Sequence, residues 1–160
     1  MVIAAAGAAF GVVGSVSAST PPFCLGTQLS ARIVDWQGAA GSRIADVVLV
    51  NTSFTRCRIR NFPRVRLINA HGVVLINGHA ALTTAATHTL AGLGFLETEV
   101  SDSNYCGQAY TKPVTVEFVL PGTLGHVVAI PVSRTDGAGV PPCLGAPGSA
   151  GHIEMHAWHT

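Results

Sequence analysis

The densest charge in this chain is a run of arginines, Arg56, Arg58, Arg60, Arg64 and Arg66, which holds five of its nine basic residues. Guanidinium groups make paired, fork-shaped hydrogen bonds with phosphate, sulfate and carboxylate, so the run is a candidate anion-binding patch for groups of that kind on glycans or lipids. In an extended chain Arg56, Arg58 and Arg60 point one way while Cys57 and Ile59 point the other. The commoner use of strand charges is to block edge-to-edge pairing, and Glu97, Glu99 and Asp102 are available as ion-pair partners in that role.

The C-terminal stretch His152-Ile153-Glu154-Met155-His156-Ala157-Trp158-His159 is the place to look for a metal site. On a strand His152, Glu154 and His156 share a face. Residues four apart on a strand are roughly 13 Å apart, whereas two donors on one ion lie within about 3 to 4 Å of each other. A His-Glu pair joined by His126 would be needed to hold copper or zinc. Solvent-facing histidines near a chain end are the expected alternative, and no metal is assigned.

Hydrolytic chemistry needs a nucleophile beside a base, and the chain has no Gly-x-Ser-x-Gly elbow and no Ser-x-x-Lys. The expectation is therefore a protein without catalytic residues and without a cofactor. Gly92-x-Gly94 leads into Phe95, Leu96 and Glu97, which reads as a turn rather than a phosphate loop. Asn51-Thr52-Ser53 matches a glycosylation acceptor pattern. Trp36, Trp158, Tyr105 and Tyr110 are expected in core or rim packing.

The elements that must position these groups are tied to four cysteines, Cys24, Cys57, Cys106 and Cys143. The midpoint of the first two falls in the loop Gly38-Ala39-Ala40-Gly41-Ser42, and that of the last two in Pro121-Gly122-Thr123-Leu124-Gly125. A hairpin folded at each loop brings each pair together at its open end. Of three connectivities, the spacing favours Cys24 with Cys57 and Cys106 with Cys143. Close Cys-x-x-Cys pairs of the zinc-binding kind are absent. With 11% charged and 48% hydrophobic residues and a formal charge of +1, the composition excludes a disordered tail and gives no steering toward nucleic acid.

Met1 to Ala18 carries no charge and is mostly Ala, Val and Gly. It reads as a signal peptide or N-terminal hydrophobic segment, with small residues at 16 and 18 suited to cleavage, and no stable membrane span is expected. Residues 1–22 are thus leader and linker, and 23–160 one domain.

Strands are predicted over Leu29–Asp35, Ile44–Asn51, Arg64–Asn69, Val73–Asn77, Leu93–Val100, Val114–Leu120, Val127–Val132 and His152–Trp158, with Ala80–Leu90 a loop. Ile44–Asn51, apolar almost throughout, reads as a strand covered on both sides, and Pro131 as a strand end or an edge. Together with 18 Gly and 9 Pro, this predicts an all-β, two-sheet antiparallel sandwich, immunoglobulin-like, with a barrel as the alternative.

The order Cys24, Asn51-x-Ser53, Cys57, Asn61-x-Pro63, Cys106, Pro121-Gly122 and Cys143 resembles a family of exported actinobacterial proteins known only as a domain of unknown function. The resemblance covers about Cys24 to Trp158. It implies a secreted or envelope-bound β-sandwich with two disulfides and transfers no catalytic residue. The functional expectation is an exported, non-enzymatic binding or structural module at the cell envelope, its partner an unknown envelope component or protein. The alternative is a small metal- or anion-binding secreted protein using the C-terminal histidines or the Arg56 to Arg66 patch.

Overall fold

The computed structural model describes residues 19–79, 86–133 and 139–160. The expectations for Met1 to Ala18 and for part of Ala80–Leu90 lie outside these residues. After a 3-10 turn at Gly26–Gln28, the described chain forms ten strands: β1 (Leu29–Ala39), β2 (Ser42–Asn51), β3 (Cys57–Arg60), β4 (Arg64–Ile68), β5 (Val74–Asn77), β6 (Thr87–Leu90), β7 (Phe95–Ser103), β8 (Thr115–Val119), β9 (His126–Pro131) and β10 (His152–Met155). Alternation drives them. Ala45, Val47, Leu49 and Asn51 of β2 are buried, as are Leu96, Thr98, Val100 and Asp102 of β7, while their sequence neighbours lie half-buried or exposed. Burying one face of every strand supplies the hydrophobic driving force for the sheet.

Eight strands form one sheet in the order β10-β7-β2-β1-β9-β8-β4-β5, and β3 and β6 form a second, small sheet. All pairings in the large sheet are antiparallel except β1 with β9, where Ala31 faces Ala129. That parallel seam joins the β1–β2 hairpin to the β8–β9 hairpin. The sheet curls until β10 packs against β4 and β5, so it is nearly a closed barrel. Gly78 lies where β10 meets β4. A Cβ there would come within 2.6 Å of the Val65 carbonyl oxygen and 3.2 Å of the Ile153 carbonyl oxygen. The core runs down the inside of this curl through Ile33, Leu49, Leu67, Ile76, Val116 and Phe118.

The all-β class holds, but the strands do not divide into two facing sheets of a sandwich. The reason is the β1–β9 pairing, a long-range contact for which alternation within each strand carries no signal. Thr87–Leu90 is a strand rather than a loop, because β3 supplies its partner, Cys57 opposite Leu90 and Arg60 opposite Thr87. The outer side of β2 is only half-covered, since Val48 and Val50 face outward from the curl. Pro131 does end β9, yet β9 is an interior strand between β1 and β8. The closing strand stops at Met155, and the chain rejoins β7 through a bridge between Glu97 and His159.

Both disulfides form as the spacing predicts, Cys24 with Cys57 and Cys106 with Cys143, with Cα separations of 5.0 and 4.7 Å. The first staples the small sheet to the chain entering β1. Trp158, 2% exposed, pins the same sheet from the other terminus: its indole N–H donates to the Arg60 carbonyl at 3.1 Å, and its ring lies 5.2 Å from that of Phe118.

Candidate functional site

The arginine run does not make one patch. Arg58 and Arg60 lie on β3 in the small sheet, where both guanidinium groups stack on the Phe23 ring, 4.4 and 5.3 Å from its centroid. Stacking of this kind holds a planar cation in place and leaves its edge to make hydrogen bonds. Arg64 and Arg66 lie on β4 in the large sheet, and Arg66 pairs with Glu117 at 3.3 Å and donates to Asn77. Arg56 stands exposed in the turn before β3. The partners expected for these arginines are engaged elsewhere, Glu97 and Glu99 with histidines and Asp102 in the interior. Nor does charge alone guard the edge of β3. Pro22–Cys24 cover it, with Arg58 N–H donating to Pro22 O at 2.8 Å and Cys24 N–H to Arg58 O at 2.9 Å.

The histidines are dispersed among separate carboxylates. His152 lies 3.3 Å from Glu154, His156 3.3 Å from Glu99, His159 4.0 Å from Glu97 and His126 3.9 Å from Glu117. His126 sits on β9, with three strands between it and β10 in the sheet, so it cannot join the tail histidines on one ion. Among the described residues no three His, Cys, Asp or Glu side chains converge to hold a metal.

A more organised arrangement lies where the turn after β2 meets the turn before β7. Asn51, fully buried, uses its whole amide. Its Nδ2 donates to Thr55 O at 2.8 Å and to Ala91 O at 2.9 Å, while its Oδ1 accepts from Ser53 N at 3.0 Å and Ser53 Oγ at 2.7 Å. With both Nδ2 hydrogens committed inside the fold, Asn51 cannot serve as a glycosylation acceptor in the folded state. Leu93 N–H donates to Ser53 O at 3.0 Å, so the two turns are bonded along their length. Gly92 makes the approach possible, because a Cβ there would stand 2.2 Å from the Phe54 carbonyl oxygen. As expected, Gly92-x-Gly94 is a turn. The outcome is a tip that presents Phe54 (88% exposed), Leu93 (59%) and Phe95 (52%) to solvent on a backbone held by hydrogen bonds. Buried, fully satisfied polar groups are what rigidify such loops. Sequence reading singled out Asn51 and Gly92 for other reasons and missed Phe54 and Leu93; the turn chemistry flanking an isolated Phe was the available signal.

Inside the curl, Asp102 is 1% exposed, and neither carboxylate oxygen has a hydrogen-bond partner among the described residues. Burial pushes its carboxyl up to about 7, against the opposing pull of Arg43. Trp36 and Tyr110 are half-buried and Tyr105 and Trp158 buried, as expected of packing aromatics.

These features define a small, disulfide-stapled all-β domain whose sheet is curled almost into a barrel, with one pre-ordered apolar tip. The chain belongs to the family described as Domain of unknown function (DUF4232), whose model matches residues 24–159. No curated protein matches the chain, and no solved structure does so. Among the described residues no helix is long and apolar enough to cross a membrane.

Proposed function

We propose that this domain is an exported, non-enzymatic binding module of the cell envelope, and that its contact surface is the Phe54–Leu93 tip. The observation that carries the reading is the buried Asn51, whose side chain orders its own turn through three hydrogen bonds and ties it to the turn before β7 through a fourth, beneath solvent-exposed apolar side chains. Exposed apolar groups on a fixed frame lose little conformational entropy when they dock, which favours recognition. The two disulfides fit an oxidising, extracytoplasmic compartment, and the uncharged segment Met1 to Ala18 fits export.

The test is co-sedimentation of the oxidised domain from Ser19 to Thr160 with envelope material from its host. Wild type should sediment, and a Phe54→Ser/Leu93→Gly variant with an unchanged melting temperature should stay in solution. Equal sedimentation of the two would remove the tip from the reading. A second reading, anion binding at the small sheet, is favoured by the stacking of Arg58 and Arg60 on Phe23. It predicts salt-sensitive binding of sulfated or phosphorylated polymers that is lost on Phe23→Ala.

A further inference from the structure

The tip has a chemical character beyond exposure. From Asn51 to Arg56 and from Leu90 to Leu96 the only charged residue is Arg56, which is exposed. Several backbone groups of the two turns are already paired from within. Asn51 N–H donates to Gly94 O at 2.9 Å, Leu93 N–H to Ser53 O at 3.0 Å and Gly94 N–H to Ala91 O at 3.1 Å. The Thr55 and Ala91 carbonyls take the two hydrogens of Asn51 Nδ2. The acyl-chain region of a bilayer offers no partners to backbone polar groups, so each group satisfied internally lowers the cost of bringing a loop against it. A protein partner makes no such demand, because it brings donors and acceptors of its own.

Leu93 adds an independent observation. Its φ is +59°, a left-handed conformation that glycine adopts freely and a branched residue does not. Strain of this kind at an exposed position points from geometry to use. Here a large apolar side chain is held in solvent at a site where glycine would fit the backbone better.

We propose that this tip inserts into the interfacial region of a bilayer bearing anionic phospholipid headgroups, with Phe54 and Leu93 among the acyl chains and Arg56 against the phosphates. The proposal rests on the tip being the contact surface, as argued above. Charge complementarity selects the lipid: a lone cation beside uncharged apolar loops favours anionic headgroups.

The experiment uses the full chain carrying Phe54→Trp, mixed with vesicles of phosphatidylcholine and phosphatidylglycerol whose acyl chains are brominated. Trp158 is buried and Trp36 half-buried, so quenching above the wild-type background reports the tip itself, however the rest of the chain is held. Strong quenching is expected. Adding Leu93→Gly, which relieves the backbone while removing the side chain, should weaken the tip's partitioning roughly tenfold. Adding Arg56→Gln should weaken it about fivefold, and only when phosphatidylglycerol is present. Absence of quenching, or equal quenching on phosphatidylcholine alone, overturns the proposal. Should the envelope co-sedimentation still depend on Phe54 and Leu93 in that case, the tip binds another envelope component and the lipid assignment alone falls. If both experiments fail, the contact surface is elsewhere.

Discussion

Asp102 of β7 and Arg43 of β2 are register partners in adjacent strands, yet they make no salt bridge. Arg43 instead turns its Nε to the Val140 carbonyl at 3.3 Å. The carboxylate is left in the core with both oxygens unpaired among the described residues. A charge in that position is costly, so the folded state favours the protonated acid.

The sign of the resulting pH dependence follows from the displacement of the Asp102 pKa from 3.8 up to about 7 on folding. Below the lower value the acid is protonated whether the chain is folded or not, and nothing is lost. As the pH rises toward the upper value the unfolded chain ionises and the folded one does not, so stability falls, and above it the penalty is complete. A shift of this size corresponds to about 4 kcal/mol. Asp102→Asn should therefore match wild type near the acid end and be the more stable protein at about pH 8, as read by urea denaturation across pH. A variant that is the less stable at every pH would show that the carboxylate has a partner the interior depends on.

Removing the Asn51 amide breaks four hydrogen bonds at once and leaves the Ser53 N–H without its acceptor. Asn51→Ala should cost about 2 to 4 kcal/mol and loosen both turns together. Hydrogen exchange at the Leu93 and Gly94 amides should accelerate with little change in β8 and β9. Global acceleration instead would make Asn51 a general core residue.

Trp158 joins the C-terminus to the small sheet through the Arg60 carbonyl and to the core through Phe118. Trp158→Ala should destabilise by about 3 to 5 kcal/mol. Trp158→Phe keeps the ring contact but loses the hydrogen bond, so a smaller loss, about 1 to 2 kcal/mol, is expected by thermal denaturation.

The two disulfides differ in access. Cys24 and Cys57 are buried, whereas Cys143 is exposed and Cys106 half-buried. Mild reductant should open Cys106–Cys143 first, since exchange requires a thiolate to reach a sulfur. Each bridge closes a loop of similar length, with sequence separations of 33 and 37, and each should contribute about 3 to 4 kcal/mol by chain entropy. Peptide mapping after timed reduction and alkylation checks the order.

Much of this frame was legible in the residues. Period-two alternation located most of the strands, and the placement of four cysteines around two hairpin loops located both bridges, because these are local signals. The same period extended from Leu96 through Thr98 and Val100 reaches Asp102, so its burial could have been read from β7 alone. What could not be read were long-range pairings. The parallel contact of Ala31 with Ala129 turns two hairpins into one curled sheet, and β6 is a strand only because β3 lies beside it. The candidate site was hidden for the same reason. Phe54 and Leu93 are far apart in the chain, and their turns meet through the β2–β7 pairing, the bonds of Asn51 and Leu93 across the turns, and the missing side chain of Gly92. The arginine run, prominent in the sequence, is divided between two sheets by the turn before β4.

We propose that the domain contacts its target through the tip that Asn51 helps hold together. Amide resonances of the isotope-labelled, oxidised domain, followed while envelope material from the host is added, test it most directly. Broadening confined to residues 52–56 and 91–95 is expected, with the rest of the sheet unaffected. Broadening centred on the outer face of β1 and β9, around Ile130 and Val132, or no change at saturating envelope, would contradict it.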